Sequence, residues 1–475
     1  MMGKAYSCYL EQVEDKCQQL VDSLKSQVDY VSILGCDVQG IQLMVKSNLK
    51  QIFDPMSAER GFVVRIQDKG RISEYSFNEM GDVQRLANQI LNELKQQQNV
   101  LDELQIERMQ TPFIEEIEDS LESIKNVEIG LSEFDVEKAM ERFDCIVKAG
   151  MALDSRIFDC AANYSLTQVN KLFISSKKHL KQSYTYSEVV FVAMARGNDQ
   201  IKRDMCAISG CKGAEILNEI DGLMEKTVSQ TLELLDSEPL QPGEYDIICT
   251  PEIAGLIAHE AFGHGVEMDM FVKHRALAEN FIGEQIANEL VDMHDGALAC
   301  EDVASFAFDD EGILAKDTVI IKQGVLKSGI SDQLSALRLN TVPTGNGRRE
   351  SFENKAYARM TNTLFKARQS TLDEMLSSIK YGYLLDGVLS GMEDPKHWGI
   401  QCLIAKGKEI KDGKLTGKVV SPVILTGYVP DLLKSITMCG SAEETSGCGY
   451  CGKGHKEWVK VSDGGPYLKA KGRLG

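Results

Sequence analysis

Hydrophobic and polar positions change their rhythm several times along this chain. Residues 10–30 and 80–125 are rich in Glu, Gln, Leu and Lys and hold few glycines, which predicts helices. Between them, GFVVRIQDKGRISEYSF (61–77) sets two β-rich runs around QDKG, a hairpin signal. A second hairpin is predicted in SEVVFVAMARGNDQIKRDMCAI (187–208), turning at Gly197-Asn198. Ile216, Ile220, Leu223, Val228, Leu232 and Leu235 then recur at helical spacings. That helix runs into SEPLQPGEYD, where two prolines and a glycine mark the strongest boundary of the chain, near residue 238.

Past the boundary the pattern shortens. YDIICT (245–250) reads as a buried strand, and Pro251 stands where a helix starts. DTVIIKQGVLKSG (317–329) and QCLIAKGKEIKDGKL (401–415) read as two more hairpins. The expected class is α+β: a helix-rich N-terminal α/β domain with hairpins over 1–238, then a strand-rich domain over 239–475. No short repeat is visible.

Composition narrows the function. A chain of 475 residues with 43% hydrophobic and 26% charged positions is ordinary globular material for two or three domains. Against 52 Lys and Arg stand 71 Asp and Glu, a net charge of −19, which repels phosphate backbones and argues against nucleic acid. Basic runs such as Ser175-Ser176-Lys177-Lys178 are too short to change that. No apolar run approaches the length of a membrane span, and the polar start MMGKAYSCYLEQ has no signal-peptide core. Thirteen scattered cysteines then fit reduced thiols and a cytoplasmic protein.

The candidate chemistry sits in IAHEAFGHG (257–265). Zinc-protease helices carry H-E-x-x-H, with two histidines on one face and the glutamate as general base. Here the spacing is H-E-x-x-x-H. At roughly 100° per residue five steps make about 500°, which turns the second imidazole off the first one's face. A π-type turn closes i→i+5 rings and brings the two back into register. Gly263 and Gly265 are placed where the backbone has to bend. The competing reading is a pair of packed core histidines.

A third ligand has to come from elsewhere: Cys448 or Cys451 of SGCGYCGKGHKEW, or His274, His294, His397 or His455. Cys448 and Cys451 also form a C-x-x-C, a redox or structural zinc pair in other settings. No second C-x-x-C accompanies it, so one cysteine completing a His/His/Cys site is the better use.

HEAFGHGVE (259–267), DDEG (309–312), TGNGRRESF (344–352), ARMTNT (358–363) and YCGKGHKEWVKVSDGGPYL (450–468), in this order, resemble the TldD/PmbA (TldD/TldE) metallopeptidase family. The resemblance is specific over about 240–468 and looser before it. It implies a zinc peptidase acting on unfolded or short peptides, with His259, His264 and Cys451 as zinc ligands and Glu260 as catalytic base. Zinc would activate a water, and Glu260 would move its proton to the leaving amine. Arg359, Thr361 and Asn362 of R-M-T-N-T would border the cleft and hold substrate. The family pairs a metal-bearing chain with a metal-free one, so a homodimer or a heterodimer with a TldE/PmbA-like chain is implied. With His, Glu, His and Cys all present, this chain looks like the metal-bearing subunit. The alternatives are a non-catalytic partner subunit and a structural or redox zinc protein centred on CGYC. The chain departs from the family at Met268, at His455-Lys456 and at DPKHWGIQC, which lacks the usual T-G-x-F.

Overall fold

The structure, a computed structural model, describes residues 6–104, 110–197, 200–453 and 456–475. Eight strands between residues 30 and 210 form one sheet, in the order β4-β3-β1-β6-β7-β5, with β2 on β1 and β8 on β7. They are β1 (Tyr30–Lys46), β2 (Leu49–Phe53), β3 (Glu59–Asp68), β4 (Arg71–Phe77), β5 (Asp119–Ile124), β6 (Ile157–Ser175), β7 (Lys178–Arg196) and β8 (Ile201–Gly210). Helices α1 (Cys8–Leu24) and α2 (Val83–Glu103) cover one end through Leu10, Leu20, Ile33, Phe62 and Ile90. Helices α3 (Val136–Ala152) and α4 (Leu223–Leu235) cover the other through Phe143, Val147, Phe191 and Val228. A separate cluster of Val38, Val169 and Tyr184 meets Val303 and Phe306 from the later half.

The hairpins predicted at 61–77, 317–329 and 401–415 are present, and their turns share one cause. Lys69-Gly70, Gln323-Gly324 and Asp412-Gly413 all have positive φ at both positions, between 48° and 81°. That is the two-residue turn whose twist suits antiparallel strands, with glycine second. The 187–208 hairpin pairs Ser187–Arg196 with Ile201–Gly210, and the Asn198 end of its turn lies outside the described residues. Three helix expectations need correction. The 10–30 helix stops at Leu24, because Tyr30 already pairs with Gln67. The 80–125 helix stops at Glu103, and Asp119–Ile124 is an edge strand parallel to β7. The 216–235 helix is split by Gly222, at φ 79°, into a 3₁₀ turn and α4.

From residue 243 two further large sheets form, and a two-stranded pairing of Gly347–Arg348 with Tyr357–Ala358. Strand β9 (Gly243–Cys249) pairs in parallel with Tyr381–Asp394 and antiparallel with Leu468–Leu474. Leu468–Leu474 pairs with Val423–Tyr428, that strand with Gly399–Lys411, and this one back to Tyr381–Asp394, so five strands close a ring. The other sheet carries Asn362–Phe365 beside the Glu444–Lys453 and Lys456–Gly465 hairpin. The helix holding the histidines packs between them, with Ile253, Ala258, Phe262, Leu385, Trp398, Ile404, Val459 and Val461 in one core.

Buried and half-buried ion pairs link residues before 238 to residues after it. Arg65 reaches Glu311 at 2.5 Å, Arg349 reaches Glu74 at 2.6 Å, Lys460 reaches Glu188 at 2.5 Å, and Lys171 holds Asp310. Lys406 Nζ lies 2.8 Å from Asp204 Oδ2, and both side chains are buried. Removing one partner leaves a buried charge unmatched, which costs about 3–5 kcal/mol. Lys406→Ala is therefore expected to lose about 3 kcal/mol in urea unfolding. A loss under about 1 kcal/mol, the worth of a surface pair, would show that water already screens it.

Candidate metal centre

Helix α5 (Pro251–Leu256) begins with proline at its first turn and continues without a break into a π-helix over Ile257–Gly263. A 3₁₀ turn, His264–Val266, follows. The widened turn expected from the five-residue spacing is present, and the two imidazole rings stand 5.4 Å apart at 89°. The glycines act differently from the expectation. Gly263 has ordinary helical angles, but a Cβ there would stand 2.2 Å from Met360 Sδ. A Cβ on Gly265 would stand 2.3 Å from Glu393 Oε1. At both positions the missing side chain leaves room for the end of a neighbouring side chain, and neither glycine has positive φ.

Cys451 reaches this helix from the Glu444–Lys453 strand. One donor atom each of His259, His264 and Cys451 lies within 4.8 Å of the others, the only such His/Cys/Asp/Glu group found among the described residues. His264 Nε2 is 3.4 Å from Cys451 Sγ. Glu260 stands between the rings, Oε1 at 4.0 Å from His259 Nε2 and Oε2 at 4.0 Å from His264 Nε2. His259 is 3% exposed and Glu260 29%, so the carboxylate is on the open side.

The far side of each ring faces a carboxylate. His259 Nδ1 is 4.0 Å from Asp463 Oδ2, and His264 Nδ1 is 3.6 Å from Glu267 Oε2. Both carboxylates set negative charge behind the rings. Burial pushes Asp463 up to about 7, against the pull of His259. Burial also acts to raise Glu267, but Lys453 at 3.0 Å and His264 hold it well below the usual carboxylate range. Burial would raise the Cys451 thiol too; the two imidazoles outweigh it and hold the thiol well below its ordinary value. For His259, burial works downward and the Cys451 sulfur upward, and the ring ends at about 9.

The residues fit a zinc ion. Two imidazole nitrogens and one sulfur prone to thiolate converge, and zinc favours this N/N/S donor set. The other expected candidates lie elsewhere. Cys448 turns away and bonds Ile208 O at 3.5 Å, with its thiol pushed by burial up to about 12. His274 meets Glu279 at 3.2 Å, His294 meets Asp317 at 2.7 Å and His397 meets Asp394 at 2.6 Å. His455 lies outside the described residues.

Arg359, Thr361 and Asn362, expected to border the cleft, are all 0% exposed. Arg359 donates to Cys451 Sγ at 3.0 Å, to Cys451 O at 2.9 Å and to Glu267 Oε1 at 3.3 Å. Thr361 donates to Asp295, and Asn362 joins Ser305 and Ser462. Arg359 backs the centre from inside. Glu267, Asp463 and Glu393 were missed. Glu267 had a signal, three residues after His264; Asp463 and Glu393 had none in spacing.

A mixed α and β fold with a His–His–Cys donor set and a carboxylate open to solvent is an arrangement suited to metal-assisted hydrolysis. Residues 242–472 match the family model described as PmbA/TldA metallopeptidase C-terminal domain. A protein named metalloprotease from Methanothermobacter thermautotrophicus is 30% identical over 321 residues, 67% of this chain and 70% of its own length. A zinc metalloprotease TldD homolog from Saccharolobus solfataricus is 29% identical over 256 residues, 54% of this chain and 56% of its own. The crystal structure of TldE from Thermococcus kodakarensis shares the fold, with a TM-score of 0.76 at 16% identity over 97% of this chain and 99% of that one. The chain belongs to the TldD/PmbA family. No helix among the described residues is long and apolar enough to cross a membrane.

Proposed function

We propose that this chain is a zinc-dependent peptidase that hydrolyses unfolded or short peptides, with 239–475 as its metallopeptidase domain and 1–238 as a second domain. The observation that carries this reading is the meeting of His259, His264 and Cys451 with Glu260 set 4.0 Å from both imidazoles. The names of the metalloprotease relatives support it. His259, His264 and Cys451 would hold the ion, which when bound supplies a Lewis acid and lowers the pKa of a water. Glu260 takes a proton from the attacking water and delivers it to the leaving amide nitrogen. Asp463 and Glu267 keep both imidazoles aimed inward, and Arg359 steadies the sulfur. We assign the active assembly to a dimer, with itself or with a TldE/PmbA-like chain, in keeping with the likeness to TldE.

Metal content by mass, measured beside cleavage of an unstructured peptide, tests the reading. One zinc per chain and cleavage abolished by chelation and restored by zinc are expected. Tightly held zinc without cleavage, alone or with a partner chain, would point to a structural site. A chain that binds no zinc ends the proposal.

A further inference from the structure

Tyr381–Asp394 ends beside the metal helix and turns at Asp394–Trp398 into Gly399–Lys411. Gly391 lies on Glu260; a Cβ there would stand 2.6 Å from both Glu260 Cβ and Cγ. Two residues on, and so on the same side of the strand, Glu393 reaches the residue that follows His264. Its Oε2 accepts the Gly265 N–H at 2.9 Å. Its Oε1 occupies the space a Gly265 side chain would need, is closed to solvent and has no hydrogen-bond partner.

Gly265 stands in the 3₁₀ turn where the wide helix tightens. His264 is the histidine displaced by the extra residue, so its aim depends on how that turn is held. The hairpin is itself rooted on the same helix. Trp398 is fully buried at φ 56°, with its ring 6.0 Å from Phe262 and 4.8 Å from Phe281. A non-glycine residue held in that backbone region persists only where its surroundings fix it.

We propose that Glu393 is a positioning residue for the metal centre: by accepting the Gly265 N–H it fixes the peptide plane after His264 and so aims Nε2 toward His259 and Cys451. This rests on the reading of the site as a zinc centre. The hairpin carrying DPKHWGIQC, where the sequence departs from its family, thereby acts on the site through the backbone.

The test uses the full chain and reads zinc affinity by chelator competition, together with the absorption spectrum of the cobalt-substituted protein. Outer residues that orient ligands change metal affinity by about 10–100-fold. Glu393→Ala should weaken zinc binding by about that factor and shift the cobalt bands. Glu393→Gln keeps an oxygen acceptor for the same N–H and should restore both. Gly265→Ala, which displaces the same carboxyl, gives a second route to the same loss should Glu393→Ala fold poorly. Wild-type affinity and spectrum in both Glu393→Ala and Gly265→Ala overturn the proposal, and so does an equal loss in the Ala and Gln variants. His259→Ala serves as the control. If it binds zinc at full strength, the zinc centre fails and Glu393 with it, whereas loss in the control with none in Glu393→Ala removes only the positioning role.

Discussion

Glu260→Gln is expected to bind zinc as wild type does while peptide hydrolysis falls by about 10²–10⁴-fold or more, the share of a positioned general base. The two side chains have the same shape, so the packing against Gly391 survives the exchange. What disappears is the ability to take a proton, since an amide oxygen is a poor base. The three donors that converge are His259, His264 and Cys451, and Glu260 stands 4.0 Å from each imidazole Nε2. Zinc stoichiometry and kcat measured on the same sample decide the matter. Near-normal turnover by the zinc-loaded variant would remove Glu260 from the chemistry. Loss of the metal would make it a ligand instead.

Cys451→Ala and Cys448→Ala should separate just as sharply. Cys451 Sγ lies 3.4 Å from His264 Nε2 and accepts from Arg359 at 3.0 Å. Cys448 is three residues earlier on the same strand, faces Ile208 O on β8 and is outside the donor cluster. Protein zinc sites bind with free energies on the order of 10 kcal/mol, so losing one of three ligands, about a third of that, weakens affinity by roughly a few hundred-fold. Cys451→Ala is expected to lose zinc and activity together, and Cys448→Ala to keep both. Metal release by Cys448→Ala with retention by Cys451→Ala would reverse the assignment. Loss in both variants would favour a closed, four-ligand structural site.

Much of this was legible in the sequence where the cause is local. The hairpins at 61–77, 317–329 and 401–415 announce themselves through turns that need two left-handed residues, and three glycines mark the second positions. The five-residue interval between His259 and His264 allows one imidazole face only if the helix widens, and it does. What stayed hidden depends on pairing at a distance. Asp119–Ile124 has no alternation of its own and becomes a strand because β7 offers an edge. Arg359 reads as a substrate-holding cation in a motif, yet it is buried against Cys451, 92 residues away. Spacing along a strand says which residues share a face, not whether that face meets a cleft or a core. Glu393 shows the same limit, since its partner Gly265 is 128 positions earlier.

The closed ring and the sheet beside it also impose an order in time. His264 leaves the ribosome 187 residues before the sulfur it faces, about 10–40 s at ordinary rates of synthesis. Over that interval β9 has neither Tyr381–Asp394 nor Leu468–Leu474 to lie against. The eight-stranded sheet, whose strands all precede residue 211, has every partner it needs much earlier. A nascent chain therefore carries every strand of its first sheet well before the later partners of its ion pairs, and a product cut short before Cys451 holds the two histidines and the glutamate without the sulfur.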